Sequence, residues 1–398
     1  MSIPYECIKM EIKGRVAATK KKMTELGYDA LIVYGNNKVL GSLRYLTDYF
    51  PDRCGWTSIS ANETYLFDGA AFLLPSNGDN YLLLDRGMVL GKEVVADNVL
   101  SGGFESGDGL DAITLSRLLQ SYRNVKTVGI ETWDRFPYPL LNELRTLMPE
   151  IRFVHSTIVE ELRLIKSPFE VELFRKAAFI GDSAHQLVTE LLIEKGIGMT
   201  ELELVRAAEY HMRKQDPIYE DACENSPSLI NTGFSYGGGL LHLPHHAKII
   251  QPGDTVHWDI CCRYQGYSID TSRTKVVGNP TYGQLKALDT TNEIMLAVMD
   301  KIKPGVPAVD LVVLAKEIAE KQGYQLMDNF LGHGIGLDPH ERPDLVVEAL
   351  PLEENMVLAI EPRVVENGIF AIGLEDMVLV TKSGGERLTK FDSTSLYL

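Results

Sequence analysis

The sequence predicts a two-domain protein, with an α/β domain over residues 1–160 followed by an α+β domain over residues 161–398. The chain has 398 residues and 45% hydrophobic content, which is enough to bury two separate cores. Segments with helical periodicity alternate with β-rich segments, and this alternation favours a mixed class over an all-β fold.

The first domain is predicted from a regular succession of helix and strand patterns. Its first helix is closed by Gly27 as a C′ residue, and a turn-rich segment at residues 76–79 joins two strands into a hairpin. The domain has no phosphate loop, nucleophile elbow or cluster of metal ligands, so we expect the chemistry elsewhere. The predicted elements are a helix at 10–26, strands at 28–34, 71–74, 81–84, 125–130 and 151–155, and a helix at 140–147.

The second domain is predicted to contain two copies of one α-α-β layout. In each copy a long helix is broken, a second helix follows, and a sheet region completes the unit. Ser167 is a predicted N-cap, and Thr200 with Glu203 forms a predicted capping box. Two such halves would meet sheet against sheet with a cleft between them. The copies are helices 168–194 and 200–214 with sheet region 226–278, and helices 282–301 and 309–322 with sheet region 324–382.

The composition argues against several classes of function. The net charge of -16 and the lack of a long basic run disfavour a nucleic-acid partner. We expect no membrane segment and no signal peptide, because no apolar run is long enough. The five cysteines lack zinc-finger spacing and are interpreted as reduced thiols in a cytoplasmic protein. Cys261 and Cys262 are interpreted as small apolar residues on opposite faces of one strand.

The first candidate site lies in a predicted β-hairpin over residues 255–277, with its turn at 265–266. Asp259 and Asp270 lie within the two strands, where aspartate is uncommon because it competes for backbone hydrogen bonds. Two carboxylates that converge from paired strands repel each other unless a cation lies between them. The hairpin therefore indicates a divalent metal site, with solvated edge carboxylates as the alternative.

The second half of the domain supplies three further candidate ligands. His333 lies among three glycines, which allow the backbone to approach a strand or a ligand closely. Glu361 and Glu375 each lie at the end of an apolar strand, where an unpaired carboxylate is costly. With the two aspartates they form a set of four carboxylates and one imidazole. This set suits two divalent ions such as Mn²⁺, Co²⁺, Fe²⁺ or Zn²⁺.

In order and spacing, these residues resemble the pita-bread metallopeptidase family, which includes methionine aminopeptidase, aminopeptidase P, prolidase and creatinase. The linker ELRLIKSP at residues 161–168 is similar to the branch of aminopeptidase P, prolidase and creatinase. The resemblance implies a creatinase-like α/β domain followed by a pita-bread domain with pseudo-twofold halves. The matching residues are Asp259, Asp270 with Arg273 and Thr274, His333, His340 with Glu341 and Pro343, Glu361 with Pro362, and Glu375 with Asp376.

The resemblance also implies a role for each ligand. Asp259 would bind one ion, Asp270 and Glu375 would bridge both ions, and His333 and Glu361 would hold the second. A metal-bridging hydroxide would be the nucleophile, and Glu361 would act as general base.

Two histidines are implied to act on the substrate. His242 and His340 would flank the scissile carbonyl, where they would stabilise the oxyanion or protonate the leaving nitrogen. His245 and His246 are alternatives to His242, although both are more typical of surface histidines. His257 alternates with an aspartate along the same strand, and we expect it to have a packing role.

The implied activity is that of a dinuclear metal-dependent hydrolase, an Xaa-Pro aminopeptidase or dipeptidase acting on small peptides. The alternative is a metal-dependent hydrolase or lyase of a small nitrogenous or osmolyte substrate on the same fold. A non-catalytic binding module is disfavoured because the full ligand set is present. The resemblance further implies a homodimer, for which residues 48–56 are a candidate wall of the partner's cleft.

Three positions depart from the family pattern. Cys261 replaces a glycine, Arg363 replaces the glycine that usually follows Glu-Pro, and Gly373 replaces an arginine. An arginine lost at 373 and gained at 363 could place a guanidinium in the same space. Alternatively, Arg363 could bind a substrate carboxylate as a bidentate partner, or it could be a surface residue.

Overall fold

The computed structural model divides into two compact units, Met1–Arg163 and Leu164–Leu398. The first is an α/β unit and the second an α+β unit, so the predicted fold class is confirmed. None of the helices in the described part of the chain has the length and apolar character that crossing a membrane requires. The residues described are 5–36, 39–50, 69–84, 94–101, 109–195, 197–215, 229–232, 248–366 and 370–392.

The N-terminal unit is built on a six-stranded mixed sheet with strand order β4-β3-β2-β1-β5-β6. Strands β1 and β2 are buried along their whole length, which explains their nearly continuous apolar sequences. The elements of this unit are α1 (Tyr5–Leu26), β1 (Ala30–Gly35), α2 (Gly41–Thr47), β2 (Ala70–Pro75), β3 (Tyr81–Leu84), β4 (Asn98–Ser101), α3 (Ala112–Ser121), β5 (Thr127–Glu131), α4 (Tyr138–Leu147), β6 (Arg152–Ser156) and α5 (Ile158–Leu164).

Most of these elements agree with the sequence prediction. Helix α1 ends before Gly27, whose φ of +71° is the left-handed conformation of a C′ residue. The predicted hairpin is the antiparallel pair β2 and β3. Helix α3 was not predicted, although Asp111 caps it by accepting a hydrogen bond from the Thr114 N–H at 2.6 Å. Helices α2 and α5 and strand β4 were also missed, because four to seven residues are too few for a clear periodicity.

The C-terminal unit contains three sheets with strand orders β7-β8-β9, β10-β14-β15 and β12-β11-β13-β16-β17. Its elements are α6 (Pro168–Lys195), α7 (Glu201–Gln215), β7 (Leu229–Thr232), β8 (Thr255–Tyr264), β9 (Tyr267–Val276), α8 (Tyr282–Lys301), α9 (Ala308–Lys321), β10 (Gln325–Leu326), β11 (Gly332–Gly334), β12 (Glu341–Asp344), β13 (Val357–Ile360), β14 (Arg363–Glu366), β15 (Phe370–Gly373), β16 (Asp376–Thr381) and β17 (Gly384–Arg387).

The predicted repetition of an α-α-β layout is confirmed in this unit. Helices α6 and α7 precede the hairpin β8–β9, and helices α8 and α9 precede the later strands. The predicted caps are also present, since the N–H of Glu170 donates to Ser167 Oγ and the N–H of Glu203 donates to Thr200 Oγ1, both at 3.2 Å.

The two halves are joined where β9 meets the segment between β15 and β16. The N–H of Glu375 donates to the Ser272 carbonyl at 3.0 Å, and Thr271 Oγ1 donates to the Glu375 carbonyl at 2.8 Å. Thr274 Oγ1 donates to the Gly373 carbonyl at 2.7 Å. These contacts bring Glu375 of the second half beside the strand that carries Asp270.

Candidate metal centre

The hairpin β8–β9 presents three potential ligands on one face. Cys261 is directly opposite Asp270 in the strand register, and Asp259 lies two residues from Cys261 on the same strand. Side chains two residues apart on a strand share a face, so the three side chains converge. The turn is formed by Gln265 at φ +53° and Gly266 at φ +90°, as predicted for a tight hairpin.

Strand β11 places His333 by an unusually close approach of backbones. Its neighbour Gly332 has φ +143°, and a Cβ there would lie 2.0 Å from the carbonyl oxygen of Ala359 on β13. A Cβ at Gly334 would lie 2.1 Å from the carbonyl oxygen of Arg342. Glycine is therefore required on both sides of His333, and the predicted reason, close contact with a neighbouring strand, is confirmed.

The remaining two carboxylates are held by backbone contacts at strand ends. Glu361 follows β13, and its N–H donates to the Leu331 carbonyl at 2.8 Å just before β11. Glu375 precedes β16 and is bonded through its backbone to β9. Arg273 reinforces this position, because its Nη1 donates to the Glu375 carbonyl at 2.6 Å and its Nη2 pairs with Asp376 at 2.8 Å.

The structure brings the five sequence-predicted ligands together. His333 Nε2 lies 3.5 Å from Glu361 Oε1 and 3.9 Å from Asp270 Oδ2. Each of the five residues exposes 5% or less of its surface. Three groups have ligand atoms within 4.8 Å of one another: Asp270, His333 and His340; Asp259, Cys261 and Asp270; and His333, Glu361 and Glu375.

Some buried polar atoms of this cluster have no hydrogen-bond partner among the described residues. Among the described residues, no hydrogen-bond partner reaches His333 Nε2 or either carboxylate oxygen of Glu375. His333 Nδ1 lies 2.9 Å from the Gly334 carbonyl oxygen, so the ring proton is on Nδ1 and the lone pair of Nε2 faces the carboxylates. Buried polar atoms without partners destabilise a fold by about 1–3 kcal/mol each. A bound cation would satisfy them.

The carboxylate pKa values in this cluster are shifted in opposite directions, because burial and mutual repulsion raise two of them and nearby positive charge lowers a third. Burial, and then the neighbouring carboxylates, raise the pKa of Asp270 and of Glu375 well above the ordinary range. Burial also favours the neutral form of Glu361, but the positive charge of Arg363 and the contact with His333 outweigh it. The pKa of Glu361 is therefore lowered.

Arg363 is the one cation in direct contact with this cluster among the described ion pairs. Its Nη2 lies 2.6 Å from Glu361 Oε2 and 3.8 Å from Asp259 Oδ2. It is paired in register with Gly373, where a Cβ would lie 2.6 Å from Arg363 Cγ. The side chain of Arg363 therefore crosses the space above Gly373 to reach the site, and the idea that it is a surface arginine is wrong.

Comparison with known proteins places this site in a family. Residues 172–382 match the Metallopeptidase family M24, and residues 15–165 match the Creatinase/Prolidase N-terminal domain. The chain belongs to metallopeptidase family M24. The resemblance inferred from the sequence, to the prolidase and aminopeptidase P branch of this family, is confirmed.

Individual relatives agree with this membership. A relative named Xaa-Pro dipeptidase, from Pyrococcus horikoshii, is 31% identical over 283 residues, which cover 69% of this chain and 76% of the relative. The crystal structure of a prolidase from Pyrococcus horikoshii OT3 has a TM-score of 0.75 and 26% identity, covering 95% of this chain and 99% of that one. A prolidase from Thermococcus sibiricus has a TM-score of 0.79 at 23% identity over both full chains, which supports the fold alone.

Membership in family M24 implies divalent metal ions, and the chemistry of the cluster is compatible with them. Its oxygen atoms and single imidazole are hard and intermediate ligands, which divalent ions such as Mn²⁺ and Zn²⁺ accept. Glu375 and His333 supply buried atoms that lack partners within the described chain. The residues present therefore suit the group that the family implies.

Other predicted site residues have different outcomes. His340 is exposed, and its ring centroid lies 4.1 Å from that of His333. His257 is buried and its Nδ1 lies 3.0 Å from Thr274 Oγ1, which agrees with a packing role. His242, His245 and His246 lie outside the described residues, as does the segment 51–56 of the predicted wall.

Cys261 is a buried strand residue, as the sequence indicated, but its thiol faces carboxylates and not an apolar core. Its Sγ donates to Asp270 Oδ1 at 3.2 Å and lies 3.9 Å from Asp259 Oδ1. The signal was present in the spacing, because Asp259 and Cys261 are two positions apart on a strand and must share a face.

Proposed function

We propose that this chain is a metal-dependent peptidase that cleaves Xaa-Pro bonds in short peptides. The observation that carries the proposal is the convergence of four buried carboxylates and His333 Nε2 in a member of family M24. The names of the relatives, Xaa-Pro dipeptidase and prolidase, support the substrate class.

We propose that the site holds two divalent ions, of Mn²⁺, Co²⁺, Zn²⁺ or Fe²⁺. Asp259 would bind one ion, Asp270 and Glu375 would bridge both, and His333 and Glu361 would hold the other. Four carboxylates provide more negative charge than a single divalent ion would compensate, which supports the stoichiometry. When bound, divalent ions supply Lewis acidity for the scissile carbonyl and lower the pKa of water.

Glu361 is proposed as the general base. Its pKa is lowered, so its carboxylate is ionised at neutral pH and can accept a proton from the attacking water. The same carboxyl group can then return that proton to the leaving nitrogen. Arg363 binds Glu361 Oε2 and leaves Oε1 directed toward His333, so one oxygen is anchored while the other faces the site.

His340 is proposed to orient or protonate the substrate, because it is exposed while its ring contacts the buried His333. His242 is proposed for the same task from family resemblance. For Arg363 we favour the positioning of Glu361 over recognition of a substrate carboxylate. The residue is only 8% exposed, and its guanidinium is already engaged with Glu361 and Asp259.

The wider assignments follow from the same resemblance. We propose that residues 1–160 form a creatinase-like domain and residues 161–398 the catalytic domain. We further propose a homodimer in the cytoplasm. Light scattering with size-exclusion chromatography would test the dimer, and a single species at the mass of one chain would contradict it.

The activity is tested with a panel of substrates. Protein stripped of metal by chelation is reloaded with Mn²⁺, Co²⁺, Zn²⁺ or Fe²⁺ and offered Xaa-Pro dipeptides, Xaa-Pro tripeptides and small nitrogenous osmolytes. We expect proline release from at least one Xaa-Pro peptide, dependent on added metal. Turnover of an osmolyte without turnover of any Xaa-Pro peptide would overturn the proposal in favour of the alternative chemistry.

A further inference from the structure

Cys261 lies within the carboxylate cluster, with its Sγ 3.2 Å from Asp270 Oδ1 and 3.9 Å from Asp259 Oδ1. It faces Asp270 across the hairpin and shares its strand face with Asp259, so its thiol lies between the two carboxylates. It exposes only 3% of its surface. Its neighbour Cys262 is buried on the opposite face of the same strand, and this pair offers a matched comparison.

The distances around this thiol suit a metal ion. Zinc binds thiolate at about 2.3 Å and carboxylate oxygen at about 2.1 Å, so tetrahedral geometry separates sulfur from oxygen by about 3.6 Å. The observed separations, 3.2 Å to Asp270 Oδ1 and 3.9 Å to Asp259 Oδ1, lie on either side of that value. Ligand atoms of all three residues lie within 4.8 Å of one another.

A second observation points to a cation in the adjoining part of the cluster, on the other side of Asp270. His333 Nε2 has no hydrogen-bond partner among the described residues, yet it lies 3.9 Å from Asp270 Oδ2. Asp270 Oδ1 accepts a hydrogen bond from the Cys261 thiol, and Asp270 Oδ2 lies near His333 Nε2. The two oxygens of Asp270 therefore face two different sets of potential ligand atoms.

We propose that Cys261 is a metal ligand, binding through its sulfur the ion that Asp259 and Asp270 hold. The inference rests on the proposed metal function and deepens it. On binding, the S–H bond breaks, the proton passes to solvent, and the sulfur lone pair forms the bond to the ion. No oxidation or reduction occurs.

The consequence is a change in metal preference. Thiolate is a soft ligand that favours Zn²⁺ over Mn²⁺, whereas the remaining donors are hard oxygens. The metal position at Cys261 would therefore prefer an ion that binds sulfur well, such as Zn²⁺. The other position would keep the preference of a carboxylate site for hard ions. The centre would accept a mixed pair of metals.

Cobalt substitution tests the proposal through two separate spectroscopic signals. Visible d–d bands of Co²⁺ that remains with the protein after removal of free metal report a bound ion, and a near-ultraviolet sulfur-to-cobalt band reports a thiolate ligand. We expect both signals in the full-length wild type, and loss of the sulfur band alone in Cys261→Ser. Cys262→Ala should keep both signals.

Each outcome has a distinct meaning. The d–d bands without a sulfur band in the wild type, or a sulfur band that persists in Cys261→Ser, would overturn the ligand assignment while leaving the metal function intact. Absence of both signals would overturn the proposed metal function together with this inference. If Cys261→Ser fails to fold, X-ray absorption of the zinc-loaded wild type decides the matter, since a zinc–sulfur distance of about 2.3 Å is required.

Metal affinity gives an independent measurement. Loss of even an outer partner of a ligand weakens metal binding about 10–100-fold, so loss of a direct ligand should cost at least as much. We expect Cys261→Ser to weaken Zn²⁺ binding by about 10-fold or more, with a smaller effect on Mn²⁺. Equal effects on the two ions would contradict a direct sulfur bond.

Discussion

Glu131 in the N-terminal unit and Glu375 in the C-terminal unit are both fully buried, yet their surroundings differ in kind. One oxygen of Glu131, Oε1, accepts hydrogen bonds from the N–H groups of Val159 and Glu160 at 2.9 and 3.0 Å, at the start of helix α5, while its Oε2 has no hydrogen-bond partner among the described residues. Neither oxygen of Glu375 has a hydrogen-bond partner in the described part of the chain. Burial alone therefore does not distinguish a structural carboxylate from a candidate ligand.

The physical cause of each pKa shift separates the two cases. Burial raises the pKa of Glu131 to about 7, and hydrogen bonds from Ser156 and the helix backbone oppose that rise. Burial also raises the pKa of Glu375, but there the next contributions are Asp270 and Glu361, which raise it further. A buried carboxylate that accepts the N–H groups of a helix start has a structural role, whereas one whose neighbours are other carboxylates needs an added cation.

The largest effect that sharpens this comparison is expected from Glu375→Gln. Activity should fall by about 100-fold or more, because a proposed direct ligand is lost. A bound ion at a hundred times its dissociation constant stabilises a protein by about 2.7 kcal/mol. In Glu375→Gln, saturating Mn²⁺ should no longer raise the Tm. The metal-free variant should nevertheless be more stable than metal-free wild type at neutral pH, because one repelling charge has been removed. Activity assays and thermal unfolding with and without Mn²⁺ measure these effects.

Glu131→Gln is the matched control, because it makes the same change at the other buried glutamate. It should leave the response of Tm to Mn²⁺ unchanged. If Glu375→Gln kept a normal response to Mn²⁺, the distinction between the two glutamates would be wrong.

A second effect is expected when the cation beside the cluster is removed. Arg363→Met leaves Glu361 and Asp259 without their guanidinium partner, and breaking a buried ion pair in this way costs about 3–5 kcal/mol. The free energy of unfolding of the metal-free protein should fall by this amount, as measured by urea denaturation. Added Mn²⁺ should recover part of the loss, because it supplies positive charge to the same carboxylates.

Gly373 offers a test of the geometry around Arg363. Gly373→Ala should destabilise the wild type by about 1–3 kcal/mol, because the new Cβ would overlap Arg363 Cγ. In an Arg363→Ala background, Gly373→Ala should destabilise the protein much less, because Cγ of residue 363 is absent. Equal costs in both backgrounds would show that Arg363 does not occupy the space above Gly373.

The last effect concerns the pH dependence of the N-terminal unit. The pKa of Glu131 rises from an ordinary 4.5 to about 7 on folding, so the folded state binds the proton more tightly. The resulting stability is fully present below pH 4.5 and is lost as the pH rises through 7. At 1.36 kcal/mol for each pKa unit, the loss is about 3 kcal/mol.

Hydrogen exchange of peptides from residues 127–164 would follow this loss in the full-length protein. Glu131→Gln keeps an oxygen acceptor for the two N–H groups but does not ionise, so its exchange profile should be flat between pH 5 and 8 once the intrinsic rate is corrected. If hydrogen exchange in Glu131→Gln depended on pH as strongly as in the wild type, the pH dependence would come from another group.

Much of the candidate site followed from residue type and spacing. Asp259 and Asp270 were unusual for strands, and the tight turn between them predicted that they would converge. The position of Arg363 could not be predicted with the same certainty, because it depends on the register between β14 and β15 and on the absence of a side chain at Gly373. The contacts of Cys261 with two carboxylates were not predicted, because the apolar character of cysteine was given more weight than its position in the strand.

The two glycines beside His333 have a consequence for how far the protein can be altered. Because Gly332 and Gly334 bring main chain against main chain, the separation between β11 and its neighbours is determined by backbone contact and not by the size of core side chains. Mutations that enlarge or shrink the core elsewhere should therefore change thermal stability while preserving the dimensions of the site. An engineer could vary the core of this unit widely and would need to leave these two positions unchanged.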